Sequence, residues 1–208
     1  MSFSVNKLRG FTLIELMISI VIGLIILSAV IGIFISMIKA DNDNLKVIRL
    51  NQELRAAMSL ISREIRRAGA NRNAAFNTST TPPSNPFTVA GGTRLTISGN
   101  KQGDLNSCIT FSYDANDGSN ELYGYRLNSA DGTIEARANA ALCAANGWLT
   151  INDEDLVNIT VLSFMDTTTT EAGINSRQIS TTLAGQLRSD PTIKRTLTET
   201  VKVRNDEI

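Results

Sequence analysis

The apolar residues of this chain first form one long, nearly uncharged run. The run begins at Leu16 and ends at Ile38, and Glu15 directly precedes it. At 1.5 Å per residue, a helix over the run rises about 34 Å, enough to cross a hydrocarbon core of about 30 Å. The pattern predicts a membrane-spanning helix over residues 11–38. A carboxylate at the start of such a helix costs at least about 2.5 kcal/mol to insert, so Glu15 is a candidate functional residue.

The pattern then changes to helical spacing, which predicts that the helix continues as an amphipathic rod over residues 39–70. Its apolar positions recur every three or four residues: Leu50, Leu54, Ala57, Met58, Ile61, Ile65 and Ala68. Charged residues are predicted on the other faces: Arg55, Arg63, Glu64, Arg66 and Arg67. Gly69 and Asn71 are stop signals, so the helix is expected to end near residue 68. The apolar stripe needs a domain that covers it.

The remainder of the chain alternates apolar and polar residues between turn pairs, which is typical of antiparallel strands. Residues 71–93, rich in Asn, Thr, Ser and Pro, predict a loop before this part. Residues 94–208 then form a β-rich head, with strands at 94–98, 108–113, 121–127, 133–137, 156–164, 177–183 and 196–203. A long helix followed by such strands predicts an α+β fold in which the rod packs on one face of a sheet. Trp148 is expected to be a core or sheet-edge anchor.

The residues at the start of the apolar run form a compound motif. Residues 7–15 read Lys-Leu-Arg-Gly-Phe-Thr-Leu-Ile-Glu, which combines a basic head, a glycine, a phenylalanine and an offset glutamate. This stretch resembles the class III signal of type IV pilins and of type II secretion pseudopilins. The resemblance implies a pilin fold with residues 1–10 as a leader peptide. It also implies that prepilin peptidase cleaves between Gly10 and Phe11, that Phe11 becomes N-methylated, and that Glu15 acts in assembly.

The physical chemistry of this motif supports such a role independently. Cleavage would create an ammonium group at Phe11, about one helical turn from Glu15 and within reach of Glu15 on a neighbouring subunit. A charge pair in lipid loses much of its desolvation penalty, so Glu15 could select a partner and set the register of a filament.

Three segments of the head extend the resemblance. Residues 108–114, 123–127 and 198–205 look like those of PilW-type minor pilins, which are related to the J-type minor pseudopilins of type II secretion. The resemblance implies a minor pilin that joins a complex priming type IV pilus assembly, at the pilus tip. Its implied partners are other minor pilins, the major pilin, prepilin peptidase, the inner-membrane assembly platform and a tip adhesin. A minor pseudopilin of type II secretion is the alternative.

Charge placement predicts how the chain lies in the inner membrane. Lys7 and Arg9 precede the span, whereas Asp41 and Asp43 follow soon after it. The positive-inside rule therefore predicts a cytoplasmic amino terminus and a periplasmic head. The head carries more acidic than basic residues, which argues against nucleic acid as its partner.

There are three other interpretations of the apolar run, and the first is disfavoured. A discarded secretory signal peptide would be shorter and would have a small-residue cleavage site, which this run lacks. A plain signal anchor with an incidental glutamate is the second, and a single-pass membrane sensor or binding protein with a periplasmic ligand domain is the third.

The residues that could carry chemistry are few, and we expect neither catalysis nor a cofactor. Histidine is absent, so no Ser-His or Cys-His pair can form. Cys108 and Cys143 predict one disulfide in an exported head, with two free buried thiols as the alternative. Asp114, Asn116 and Asp117 are weak calcium candidates, because they lack the EF-hand spacing and more simply form a glycine-closed turn.

Overall fold

The computed structural model describes residues 10–70, 95–114, 121–138, 142–167, 169–171 and 174–203. The chain divides into two units, Met1–Lys46 and Val47–Ile208. A single helix, α1, extends over Leu13–Ile65, close to the predicted bounds. The predicted loop over 71–93, the stop signal Asn71 and most of the predicted leader lie outside the described residues.

The part of α1 in the first unit exposes its apolar side chains. Every large apolar side chain from Phe11 to Ile38 is at least half exposed. By length and composition this helix could cross a membrane. An apolar surface of this extent is not stable in water, so the segment requires lipid or other protein chains around it.

The part of α1 in the second unit buries the predicted stripe. All seven of its apolar residues, from Leu50 to Ala68, are buried, as the spacing predicted. The helix gives way to turns that end at Gly69, whose φ of 71° is favourable for glycine. The Gly69 N–H donates to the Ser112 carbonyl at 2.7 Å, so the end of the helix is fixed to a strand of the head.

The strands form two main antiparallel sheets within the described residues. The first has the order β1-β2-β3-β4-β5, with β1 Leu95–Ser98, β2 Cys108–Tyr113, β3 Glu121–Asn128, β4 Thr133–Ala138 and β5 Leu149–Thr150. The second has the order β10-β9-β6, with β6 Val157–Asp166, β9 Gln178–Leu187 and β10 Lys194–Lys202. A separate hairpin pairs β7 Thr169–Glu171 with β8 Ile174–Ser176.

The α+β architecture is therefore confirmed, but the expectation of one sheet is wrong. All seven predicted strands have a counterpart, whereas β5, β7 and β8 were not predicted. Strands of two or three residues are too short to show alternation. The alternation of apolar and polar residues also predicts which face of the sheet each side chain occupies, but it does not predict which strands pair with each other.

Both sheets contribute to one core around α1. Leu54 of the helix, Phe111 of β2 and Leu183 of β9 belong to the same buried cluster. Gly185 of β9 allows the close approach of the helix, because a Cβ there would lie 3.1 Å from Leu54 Cδ2. At the other edge of the second sheet, the N–H groups of Ile159 and Phe164 donate to carbonyls in the loops of the first sheet.

Candidate functional site

The predicted processing site lies at the start of α1. Gly10 and Phe11 precede the helix, and the Phe11 side chain is 81% exposed. Together with Thr12 and Glu15 they line an open concave surface. Both sides of the peptide bond between Gly10 and Phe11 are accessible in this arrangement.

Thr12 and Glu15 cap the helix reciprocally. The Glu15 N–H donates to Thr12 Oγ1 at 3.3 Å, and the Thr12 N–H donates to Glu15 Oε2 at 3.4 Å. This is a capping box, which satisfies backbone donors that the first turn of a helix leaves free. The capping role of Thr12 was not predicted from the sequence, although Thr-x-x-Glu before an apolar run is the recognised signal for a capping box.

The capping box leaves part of the Glu15 carboxylate available. Both bonds from Thr12, including that from its hydroxyl, use Oε2, and Oε1 has no partner in the described part of the chain. A negative charge in the first turn is also favourable at the positive end of the helix dipole. Glu15 can therefore stabilise the start of its own helix and still accept a bond from a second cation.

The predicted disulfide is present in the head. Cys108 in β2 and Cys143 are bonded, and they are 35 positions apart in the sequence. Trp148 packs against both cysteines and is 9% exposed, so the prediction that it is an anchor is confirmed. The segment that carries Cys143 and Trp148 therefore covers the face of the first sheet opposite the main core.

Arg126 of β3 holds this covering segment in place. Its guanidinium donates from Nε to Glu135 Oε2 and from Nη1 to the Cys143 carbonyl, both at 2.6 Å. The guanidinium also lies 4.7 Å from the centre of the Trp148 ring. Register explains the cluster, because Cys108, Arg126 and Glu135 are direct cross-strand neighbours.

The charged end of α1 differs from the prediction at one residue. Glu64 was expected on a polar face, but it is buried, because β2 covers more of the helix than the apolar stripe. Its carboxylate accepts bonds from Tyr113 at 2.8 Å and from Arg63 and Arg67 at 3.1 and 3.2 Å. Burial, followed by the bond to Glu64, raises the pKa of Tyr113 far above its ordinary value.

Arg63, Arg66 and Arg67 were predicted on the polar faces of the helix, away from the apolar stripe. Arg63 and Arg67 bind Glu64, and Arg67 also lies 4.2 Å from the centre of the Tyr113 ring. Arg66 binds Glu199 of β10 at 3.3 Å. All three therefore contact carboxylates of their own chain, and Arg63 stays largely exposed.

The calcium candidates gain no support in the described residues. Asp114 is buried at the end of β2, and its N–H donates to the Ala70 carbonyl at 2.9 Å. Asn116 and Asp117 lie outside the described residues. Over the ranges that the structure describes, no group of three or more His, Cys, Asp or Glu side chains is placed to hold a metal ion.

Comparison with known proteins identifies the family. Residues 6–38 match the prokaryotic N-terminal methylation motif, and residues 43–203 match the family of prepilin peptidase-dependent protein B. No curated protein and no solved structure is a significant match. The second match covers most of the chain and includes the helical stripe, both sheets and the disulfide. The chain is therefore a type IV pilin-like prepilin that belongs to the family of prepilin peptidase-dependent protein B.

Proposed function

We propose that this protein is a minor pilin of the PilW type, which joins a complex that primes type IV pilus assembly and lies at the pilus tip. The observation that carries the proposal is Glu15 in the first turn of an exposed apolar helix, four residues after Phe11. Its role is assembly and not catalysis. Prepilin peptidase removes residues 1–10 and methylates Phe11, and the segment from Leu16 to Ile38 then moves from the inner membrane into the filament core.

In this proposal, Glu15 receives two cations in succession. Before assembly, its carboxylate caps its own helix through Thr12 and faces the new Phe11 ammonium. During assembly, Oε1 binds the ammonium of a neighbouring subunit, which is another minor pilin or the major pilin. A charge pair costs much less free energy in lipid than one isolated charge does, so the contact selects a correctly placed partner. The head, on the periplasmic side, then selects neighbouring subunits and a tip adhesin.

Substitution of Glu15 by glutamine tests this mechanism. Glutamine retains a capping oxygen of the same length but removes the charge, so the helix start is preserved. We expect normal cleavage after Gly10 and incorporation into sheared pili that falls about tenfold or more, since about 1.4 kcal/mol of lost pairing is already a factor of ten. Immunoblots of whole cells and of sheared pili measure the two steps separately.

Thr12→Val is the matched control for Glu15→Gln. It removes the capping hydroxyl, which is worth about 1 kcal/mol of helix stability, but it keeps the carboxylate. Incorporation of Thr12→Val should stay near the wild-type level. If Glu15→Gln assembles normally, or if Thr12→Val fails to the same extent, the proposed charge contact is wrong.

The alternative is a J-type minor pseudopilin of type II secretion, which shares the processing motif and the helix. A deletion strain separates the two by parallel assays of surface pili and of secreted enzyme activity. Lost pili with normal secretion supports the minor pilin, and intact pili with lost secretion supports the pseudopilin. A single-pass sensor would retain residues 1–10 and would change neither readout, and the match to prepilin families weighs against it.

A further inference from the structure

Strand β10 forms an open edge of the second sheet. The strand reads Lys-Arg-Thr-Leu-Thr-Glu-Thr-Val-Lys and pairs with β9 over nine residues without a bulge. Two backbone bonds flank this ladder, from the Leu187 N–H to the Ile193 carbonyl and from the Val203 N–H to the Arg177 carbonyl. They show which residues of β10 direct their backbone groups toward β9. Because hydrogen-bonded and non-hydrogen-bonded pairs alternate, Thr196, Thr198 and Thr200 direct their N–H and C=O groups away from β9.

The other edges of the two sheets differ from this one. On the outer edge of β6, Ile159 and Phe164 donate to loop carbonyls, and the strand is irregular between Ile159 and Val161. The outermost strands of the first sheet, β1 and β5, have only four and two residues. Within the described residues, β10 is thus the one long, regular edge whose outward backbone groups have no protein partner. Such an edge is a template for another strand.

A groove runs beside this edge and gives it specificity. It has a volume of about 370 Å³ and lies between Arg55, Met58 and Ser59 of α1 and Leu197 to Glu199 of β10. Met58 and Leu197 supply an apolar floor. Arg55 is exposed and forms no ion pair with any described residue, whereas Glu199 is paired with Arg66. A strand added to β10 would direct alternate side chains into this groove, where an apolar and an acidic side chain fit best.

The charges on β10 disfavour a second copy of this chain as the occupant. Antiparallel pairing of two β10 strands in the register that forms the most bonds would place Lys194 opposite Lys202 at both ends. Like charges directly opposite each other destabilise a strand pair, and terminal lysines are a common protection against self-pairing. The same lysines attract a different strand that carries acidic residues at those positions.

We propose that the β10 edge and the Arg55 groove bind an extended segment of a partner protein by strand addition. The segment places apolar side chains over Met58 and Leu197, one carboxylate beside Arg55, and acidic residues opposite Lys194 and Lys202. This contact is separate from the helix contact through Glu15. It would let the head recruit a particular neighbour whichever secretion or pilus system the protein serves.

The test uses full-length protein in detergent micelles and a synthetic peptide as the probe. The peptide, Glu-Val-Thr-Val-Thr-Glu-Thr-Val-Glu, matches the nine residues of β10 in length. The amides of Thr196, Thr198 and Thr200 should exchange rapidly in the free protein and slow by about tenfold or more when the peptide is added. The same peptide with alternate backbone nitrogens methylated cannot pair with an edge and should give no protection.

Two protein variants connect binding to this edge. Thr198→Pro removes one outward N–H without breaking a bond to β9, and it should weaken peptide binding about tenfold or more. Thr198→Val keeps the N–H and should bind like the wild type. Arg55→Glu, on an exposed helix face, should also weaken binding, which keeps the test valid if the proline variant misfolds.

Three results would overturn the proposal. One is an absence of protection at the outward amides when the peptide is in large excess. A second is that the methylated peptide binds as tightly as the unmethylated one, or that Thr198→Pro and Arg55→Glu both bind the peptide as tightly as the wild type does. The third is protection in the free protein that increases with protein concentration, since this would show that β10 pairs with a second copy.

Discussion

Replacement of Arg126 by methionine should lower the free energy of unfolding of the head more than the loss of one exposed charge would. The Arg126 and Glu135 side chains are only 7% and 11% exposed, so both charges are almost fully removed from water. Methionine fills a similar volume but removes the cation that pairs with the Glu135 carboxylate, which keeps only the uncharged bond from Asn128. Breaking a buried pair on one side costs about 3–5 kcal/mol, because an uncompensated charge stays buried.

The double variant Arg126→Met/Glu135→Leu should recover only part of this loss. It removes the unpaired carboxylate, and a buried ion pair replaced by apolar residues is often nearly neutral. However, the Cys143 carbonyl still loses the bond that it accepts from Arg126, at a cost of about 1–3 kcal/mol. We therefore expect the double variant to be more stable than Arg126→Met and less stable than the wild type.

The chain contains one tryptophan, and it lies at this site, so its fluorescence reports the unfolding directly. Urea titrations of full-length protein in detergent, followed by Trp148 emission, give the free energy of unfolding for each variant. At about 2–4 °C per kcal/mol for a domain of this size, Arg126→Met should lower Tm by about 6–20 °C. A loss below about 1 kcal/mol for Arg126→Met would refute the argument, as would a double variant no more stable than Arg126→Met.

Two further predictions concern the head. Replacing both Cys108 and Cys143 by alanine should lower the free energy of unfolding by about 4 kcal/mol, because the unfolded chain regains the entropy of a 35-residue loop. Urea titration with and without a reductant measures this difference. A variant that folds in lower yield but has the same free energy of unfolding would contradict the prediction. The stability of the head should also fall as pH rises above about 10, because the pKa of Tyr113 is raised in the folded state and the unfolded chain loses its phenol proton first. Below that pH both states keep the proton, and Tyr113→Phe should reduce the alkaline slope of Tm against pH.

The sequence predicted the features that depend on local pattern. The apolar run and the helical stripe from Leu50 to Ala68 gave the helix and its buried face, and alternation gave all the longer strands. The processing motif and the disulfide were likewise accessible, the first from a compound signal and the second from two cysteines in an exported head. Thr12 was also readable in principle, because its capping box with Glu15 involves residues only three positions apart.

The features that were missed depend on contacts between residues distant in sequence. The position of Glu64 next to Tyr113, 49 residues away, turns a predicted polar-face charge into a buried one. The alignment of Arg126 with Cys108 and Glu135 follows from strand register, which alternation alone does not fix.

The sequence by itself therefore determined the processing signal, the membrane-length helix, the face that the helix buries and the strands of the head. Only the tertiary structure decided that these strands divide into two sheets and that β10 forms an open edge beside Arg55. The physical reason is that burial follows the pattern of apolar residues within one segment, whereas hydrogen-bond pairing depends on which other strand lies beside that segment. One strand can satisfy the same alternation in several sheets, and packing of the whole head selects among them.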